Sequence, residues 1–186
     1  MTARPPGRRT CLYTSPQLDA VVADMARQAA GLLTGRTQIA IVGILRRGAP
    51  LAERLHDSLV ARFGLVPCVR LDLQIKRYAD DLTLLFPETR LTENPIHATI
   101  DLAGYTVLVV DDVMYRGHSM LRAVEYLASK QPAEIRTVVL VDRGAAKLPV
   151  RTDIVGVRLD VTPMDIIECN VPPYEARFRI DLLQPT

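Results

Sequence analysis

The chain has 186 residues, 48% of them hydrophobic and 24% charged, with a formal net charge of +2. This length and composition predict a globular chain with one sizeable core and exclude a disordered or low-complexity protein. Three widely spaced cysteines argue against a disulfide framework. No apolar run approaches the roughly 18 residues that span a membrane. We therefore expect a cytoplasmic protein without membrane association.

The order of apolar patterns along the chain predicts the fold class. Residues 1–14 are basic and lack an apolar stretch, which predicts a flexible arm. Helices alternating with apolar strands predict one α/β domain over 15–186, with a mostly parallel sheet and helices on both faces. In chain order we expect a helix with Ser15 as its N-cap, a strand at 38–45, a helix at 50–64, a strand at 66–75, a strand at 105–110, a helix from Ser119, a strand at 135–141, and short strands at 152–159 and 176–183.

Two acids, Asp111 and Asp112, follow the apolar run "YTVLVV", where a buried strand should end. Ligands of parallel sheets bind beyond the carboxyl ends of the strands. The next loop leads into a helix N-terminus, which favours anions such as phosphate, and Gly117 permits close approach. Carboxylates suit sugar hydroxyls or hydrated Mg²⁺. The residues favour a phosphorylated ribose, and the alternative is a capped helix after a strand with two solvated acids.

Four motifs carry a resemblance to a known family. They are "VGILRRGAPLAERL", "LDLQIKRYADDLT", "VLVVDDVMYRGHS" and "VLVDRGAAKLPVRTDIVG", in this order between Ser15 and Gly156. The third resembles the phosphoribosyl pyrophosphate (PRPP) signature of the type I phosphoribosyltransferases. Together they resemble the family of bifunctional pyrimidine-operon regulators and uracil phosphoribosyltransferases (PyrR). The resemblance implies a central mostly parallel sheet flanked by helices, a small hood largely from 142–186, and a flexible loop.

The resemblance also implies a role for each motif residue. Asp111 and Asp112 would be catalytic and would contact the ribose hydroxyls, directly or through Mg²⁺. The implied 5′-phosphate-binding residues are Tyr115, Arg116, Gly117, His118 and Ser119. Pyrophosphate would be bound by Arg46, Arg47 and Gly48, often around an unusual peptide bond, and Arg77 in a flexible loop over 76–97 would be catalytic by stabilising its charge. The implied base-binding residues are Val141, Asp142 and Arg143.

This chain departs from the PyrR pattern within the motifs. Arg116 and Arg46 stand where PyrR has threonine, and His118 stands where it has arginine. The segment around Arg77 is longer than its PyrR counterpart. The tail after Gly156 resembles PyrR only weakly, and this is where the hood should specify the base.

The implied function is PRPP-dependent phosphoribosyl transfer to a nucleobase, uracil by default, with PRPP as co-substrate and Mg²⁺ as cofactor. The family resemblance further implies a homodimer or higher homo-oligomer. A second implied activity is attenuation of pyrimidine genes through an mRNA leader. The basic residues available for that activity are Arg4, Arg8, Arg9, Arg143 and Arg151. Two alternatives stay open. The acceptor could be a purine or a pyrimidine other than uracil, or the protein could be a non-catalytic sensor of PRPP or nucleotides.

Overall fold

A computed structural model describes residues 6–65, 68–76, 90–92 and 100–186. Most of the predicted flexible loop, including Arg77, lies outside these ranges. The elements within them are β1 (Gly7–Tyr13), α1 (Ser15–Leu33), β2 (Ile39–Leu45), α2 (Gly48–Phe63), β3 (Val69–Lys76), β4 (Arg90–Thr92), β5 (Thr106–Met114), α3 (His118–Ala128), β6 (Glu134–Asp142), β7 (Ile154–Arg158), β8 (Ile166–Asn170) and β9 (Arg179–Pro185).

The large sheet has the strand order β4-β3-β2-β5-β6-β7. Its neighbours from β3 to β7 run parallel, and β4 pairs with β3 antiparallel. Helices α1 and α2 pack on one face through a core cluster that includes Ile41 and Leu108. Helix α3 packs on the other face against Val42 and Val109. The predicted α/β fold, with a parallel sheet between helices, is confirmed.

Burial on both faces explains the continuous apolar runs of the central strands. Successive residues of β5 point to opposite faces, so Leu108 enters one core cluster and Val107 the other. Both side chains are completely buried. Each such side chain stabilises the fold by about 1.5–3 kcal/mol relative to an exposed position. The strongest sequence signals therefore come from the strands that lie beneath the candidate site.

A second, small sheet has the antiparallel order β1-β9-β8. The predicted flexible arm is therefore wrong for residues 7–13, which form β1 and pair with β9 from Gly7↔Pro185 onward. Leu12 and Tyr13 pack against the main core, and this burial holds the strand in place. The segment 142–186, where a hood is predicted, supplies β8 and β9 to this sheet, but its strand β7 belongs to the large sheet. Strand β1 comes from the opposite end of the chain.

Two helix starts differ from the sequence prediction. Helix α1 takes Thr14, and not Ser15, as its N-cap, because the Thr14 backbone N–H donates to Oε1 of Gln17 at 2.9 Å. Helix α3 begins at His118 after Gly117, so Ser119 is already inside the helix. Both differences shift the cap by one residue and leave the helices in place.

Strand β5 is longer than predicted. It continues through the acid pair to Met114 because β6 keeps pairing with it, with Asp111 opposite Val139 and Met114 opposite Asp142. The acids therefore belong to the strand instead of following it. This places their backbone in a rigid ladder at the carboxyl edge of the sheet.

Candidate active site at the carboxyl edge of the large sheet

The acid pair is half-buried near the end of β5. The backbone N–H of Asp112 donates to Oδ1 of Asp111 at 2.9 Å. Burial raises the pKa of Asp111 well above its usual range, and the charge of Asp112 raises it further. Burial also raises the pKa of Asp112, although the positive charge of Arg47 opposes that rise. The pair is therefore costly to ionise without a positive partner.

The predicted phosphate loop connects β5 directly to α3. Gly117 caps the helix with a φ of 89°, a left-handed conformation that favours glycine. The first turn of a helix presents backbone N–H groups that have no partner within the helix. A small cleft is lined by Asp111 and by residues 113–120, which span the end of β5, the connection and the first turn of α3. The structure thus brings Asp111 and all five predicted phosphate-binding residues to one cleft, which suits an anion.

Tyr115, in this loop, contacts two guanidinium groups. The guanidinium carbon of Arg116 lies 5.2 Å from the ring centre, and that of Arg143 lies 4.7 Å from it. Arg143 is only 4% exposed. Its Nη2 donates to the carbonyl oxygens of Asp165 at 2.9 Å and Thr162 at 3.3 Å. Arg143, predicted from the sequence to bind a base, is thus buried against the phosphate loop.

The predicted pyrophosphate turn joins β2 to α2, and its Leu45–Arg46 peptide bond is cis. Gly48, the first residue of α2, lies directly on β5. A Cβ atom at Gly48 would lie 2.5 Å from the carbonyl oxygen of Val110 and 3.1 Å from Cα of Asp111. Only a residue without a side chain allows this approach. The turn and the acid pair are therefore in direct backbone contact.

Both arginines of the turn contact the connection between β8 and β9. Nε and Nη2 of Arg47 donate to Oε1 of Glu175 at 3.1 and 2.6 Å. The guanidinium carbon of Arg46 lies 5.1 Å from the ring centre of Tyr174. The sequence did not single out Tyr174 or Glu175, because no local pattern links this segment to a turn formed by residues so far away in the chain.

The remaining predicted base-binding residues lie one strand away from the acids. In the β5–β6 register, Val113 is opposite Val141 and Met114 is opposite Asp142. Val141 is fully buried. Asp142 ends β6, and its carboxylate accepts a hydrogen bond from the N–H of Gly144 at 2.9 Å. These residues share the carboxyl edge of the sheet with the acid pair, and their base-binding role stays a prediction.

Two adjacent carboxylates suit Mg²⁺, which prefers oxygen ligands and usually keeps several waters. Within the described part of the chain, no group of three or more His, Cys, Asp or Glu side chains is placed to hold a metal ion. Asp111 and Asp112 would therefore share a bound Mg²⁺ with water or substrate oxygens. The raised pKa values of both acids fit this donor set, because a cation would compensate their buried charge.

Comparison with known proteins places the chain in a family. A sequence model of the phosphoribosyl transferase domain matches residues 9–176. The chain belongs to the phosphoribosyltransferase family. Within this family it is 33% identical over 150 residues to the "Bifunctional protein PyrR" of Streptococcus pyogenes serotype M12, covering 80% of this chain and 82% of the relative. It is 37% identical over 141 residues to that of Listeria welshimeri, covering 74% and 75%. The PyrR resemblance predicted from the motifs is confirmed.

Solved phosphoribosyltransferase structures show the same fold. The hypoxanthine phosphoribosyltransferase of Trypanosoma cruzi, in complex with the product IMP, superposes with a TM-score of 0.74 at 17% identity, over 96% of this chain and 91% of that one. A second structure of that enzyme gives a TM-score of 0.70 at 18% identity, over 95% and 97%. At these identities the likeness concerns the fold alone.

The arginines predicted for RNA binding are in different environments. Arg8 and Arg151 are exposed. Arg9 is paired with Glu168, at 2.9 Å between Nε and Oε2, and Arg143 is buried. Arg4 lies outside the described residues.

In the described ranges no helix has both the length and the apolar character that a membrane crossing requires.

Proposed function

We propose that this phosphoribosyltransferase is active and transfers the phosphoribosyl group of PRPP to a nucleobase, with uracil as the default acceptor. The observation that carries the proposal is the backbone contact between the pyrophosphate turn and the acid pair at Gly48. Because the phosphate loop directly follows the same strand, groups suited to pyrophosphate, ribose hydroxyls and 5′-phosphate meet at one edge. Uracil is the acceptor that the resemblance to the PyrR family implies, and the relatives named PyrR belong to that family.

The proposed binding mode divides PRPP among these elements. Asp111 and Asp112 hold the ribose hydroxyls, and the backbone N–H groups at Gly117 and the start of α3 hold the 5′-phosphate. Arg46 and Arg47, with the N-terminus of α2, face the pyrophosphate. Mg²⁺, when bound at the acid pair, supplies positive charge beside the ribose and the pyrophosphate.

The chemistry then requires positioning and charge stabilisation more than covalent help from the protein. The bond between C1 of ribose and pyrophosphate breaks, and pyrophosphate leaves with the electron pair. A base nitrogen forms the new bond to C1 and releases its proton to solvent, so the products are nucleotide, pyrophosphate and one proton. Positive charge that develops on the ribose ring is stabilised by the carboxylates of Asp111 and Asp112. Arg77, outside the described residues, stays a prediction for the leaving group.

In the acceptor pocket we propose Val141 and Asp142 as the residues nearest the base. They lie one strand from the acids, opposite Val113 and Met114. Arg143 contributes through Tyr115, whose ring it contacts at 4.7 Å, and not through direct contact with the base. The loop that carries Tyr115 holds the 5′-phosphate in this proposal, so Arg143 would fix the ribose end of the substrate.

The test is to incubate the pure protein with Mg²⁺, PRPP and a panel of uracil, other pyrimidines and purines, and to measure nucleotide and pyrophosphate. We expect UMP. Product from another base alone would keep the mechanism and contradict the uracil assignment. Absence of product with every base, while PRPP still binds, would contradict an active enzyme and favour the sensor alternative.

Replacing Asp112 with asparagine tests the acid pair. The Asp112→Asn variant should keep its fold, because the amide has nearly the same shape, and should lose turnover by about 10²–10³-fold. Circular dichroism and the pyrophosphate assay measure the two effects. Asp101→Asn, at an exposed position outside the site, is the control. Normal turnover in Asp112→Asn would contradict the assignment.

RNA binding is a second proposed activity, which rests on the resemblance to the pyrimidine-operon regulators; the relatives' name "Bifunctional" does not say what their second activity is. Of the arginines named for it, Arg8 and Arg151 are exposed and available. Binding through phosphate contacts should weaken between about 50 and about 200 mM salt, measured by fluorescence anisotropy with a pyrimidine-leader RNA. Binding that does not change with salt would contradict a phosphate-contact mode.

Homo-oligomerisation also stays a prediction.

A further inference from the structure

The connection between β8 and β9 contacts the pyrophosphate turn through two consecutive residues on each side. Arg47 donates through Nε and Nη2 to Glu175, and Arg46 contacts the ring of Tyr174. The side chains of Arg47 and Glu175 are only 22% and 9% exposed. Charge-assisted hydrogen bonds are stronger where water is largely excluded. This pair is therefore a firm link between the small sheet and the turn.

Glu175 is itself held in place by the backbone. Its Oε2 accepts a hydrogen bond from the N–H of Val171 at 2.8 Å, while Oε1 accepts from Arg47. Both carboxylate oxygens are thus used as acceptors. A glutamine at this position would present an NH₂ group to one of the two donors, and so would lose one of the bonds. Only a side chain with two acceptor oxygens can keep the bonds to both Arg47 and Val171.

Arg47 also acts on the acid pair. Its positive charge opposes the rise that burial causes in the pKa of Asp112. The next residue, Gly48, contacts the backbone of Val110 and Asp111. The acid strand therefore fixes the backbone beside Arg47, and Glu175 fixes its guanidinium.

We propose that Glu175 is a positioning residue for phosphoribosyl transfer, which holds the Arg47 guanidinium beside the acid pair so that the pyrophosphate group meets a pre-oriented cation. The inference rests on the proposed function. Glu175 contacts no substrate and acts only through Arg47. Pre-orientation lowers the loss of side-chain freedom on binding, so it should appear first in the affinity for pyrophosphate and PRPP.

The chain offers a matched control in the same small sheet. Arg9 donates to Glu168 through Nε and Nη2 at 2.9 and 3.0 Å, and the Glu168 side chain is 15% exposed. Glu168→Gln therefore makes the same chemical change in a similar ion pair that does not contact the turn. Calorimetric titration with Mg²⁺-pyrophosphate and with PRPP, steady-state kinetics and thermal unfolding would be measured for both variants.

We expect Glu175→Gln to bind Mg²⁺-pyrophosphate about tenfold more weakly and to raise KM for PRPP more than it lowers kcat. Glu168→Gln should match the wild type in both measurements. Affinity in Glu175→Gln that is unchanged or tighter overturns the inference. Glu175→Asp, which keeps the charge but shortens the reach, is a second variant and should also bind more weakly. Full affinity in Glu175→Asp overturns the inference as well.

A double-mutant cycle tests whether Glu175 acts through Arg47. Arg47→Gln leaves the bond between Glu175 and Val171 in place, and the double variant should bind pyrophosphate no more weakly than Arg47→Gln alone. Additive losses overturn the inference. If the wild type binds pyrophosphate and PRPP while Glu175→Gln equals it, only the inference fails. A wild type that binds neither ligand overturns the proposed function together with the inference.

Discussion

Burial and charge at the acid pair make the stability of the folded protein depend on pH. Both Asp111 and Asp112 have a pKa raised above the ordinary value, first of all by burial. A carboxyl group with a raised pKa in the folded state contributes stability below its unfolded pKa, and this contribution is lost as pH rises through the folded pKa. The ligand-free protein is therefore less stable at neutral and alkaline pH than it would be with neutral groups here.

Replacing Asp111 with asparagine should consequently stabilise the ligand-free protein. We expect Tm of Asp111→Asn to exceed that of the wild type by about 2–4 °C near pH 8, for a gain of about 1 kcal/mol. The difference should vanish as pH falls towards about 4, where the wild-type acids are protonated. Scanning calorimetry across this range measures it, and turnover should be lost.

Asp24 provides the opposite case. Its hydrogen bond from Arg27 lowers its pKa, so Asp24→Asn should not raise Tm at alkaline pH.

Mg²⁺ should stabilise the wild type more than Asp111→Asn, because the variant has lost one of the two carboxylates. Equal Tm values for Asp111→Asn and the wild type at every pH would show that the buried charge has no net cost.

Single residues differ in how much the sequence reveals about them. The acids and Gly117 are predictable, since an acid pair and a glycine between a buried strand and a helix have few structural uses. Glu175 is not predictable, because its importance depends on Arg47, a residue distant in the chain. Arg143 was expected to face a base, yet a charge after an apolar strand does not reveal whether backbone carbonyls will surround it.

Among the elements, the central strands were predictable, whereas in the small sheet only β9 overlaps a predicted strand, the one expected at 176–183. Strands β2, β5 and β6 are buried on both faces and therefore read as continuous apolar runs. Strand β1 begins with the polar residues Arg8, Arg9 and Thr10, and β8 has only five residues, so neither gives a periodic signal. Their pairing with β9 joins segments from opposite ends of the chain.

The close approach of α2 to β5 leads to a prediction at the scale of these elements. Gly48→Ala would place Cβ at 2.5 Å from the Val110 carbonyl oxygen, so the turn must move away from the acid pair. We expect a loss of about 1–3 kcal/mol in the free energy of unfolding and a strong loss of turnover. Urea unfolding and the pyrophosphate assay measure the two effects.

Gly31 in α1 provides the control, because a Cβ there would meet no atom within 4 Å. Gly31→Ala should leave turnover unchanged and stabilise the helix by about 0.5–1 kcal/mol. Normal stability and turnover in Gly48→Ala would show that the turn can move without affecting the acid pair.

For the whole molecule, contacts from the connection between β8 and β9 attach the small sheet to the large sheet and its helices. The hydroxyl of Ser15, at the start of α1, donates to the carbonyl oxygen of Phe178 at 2.8 Å. The guanidinium carbon of Arg54 in α2 lies 4.6 Å from the Phe178 ring centre. With the Arg47–Glu175 pair, these contacts connect the two sheets around the candidate site.

Removing residues 1–13 should lower the stability of the protein, because β1 pairs with β9 and packs on the core. Removal of a flexible arm would leave the stability unchanged. The truncated protein loses β1, which exposes the edge of β9 and part of the core. We expect a lower Tm and a greater tendency to aggregate, measured by calorimetry and light scattering. A truncation that stops before Gly7 keeps β1 and provides the comparison. Equal Tm in both truncated proteins would contradict a structural role for β1.

The pairing of β1 with β9 also sets an order of events on the ribosome. β1 is the first of the described strands to be translated, and β9 is the last. The described strands of the large sheet are all translated before β9, so β1 has no partner until the last of the described strands has been made. The segment with Tyr174 and Glu175 emerges just before β9. The partners of the two turn arginines are therefore translated after the acid pair, and they are in place only when β9 can pair with β1.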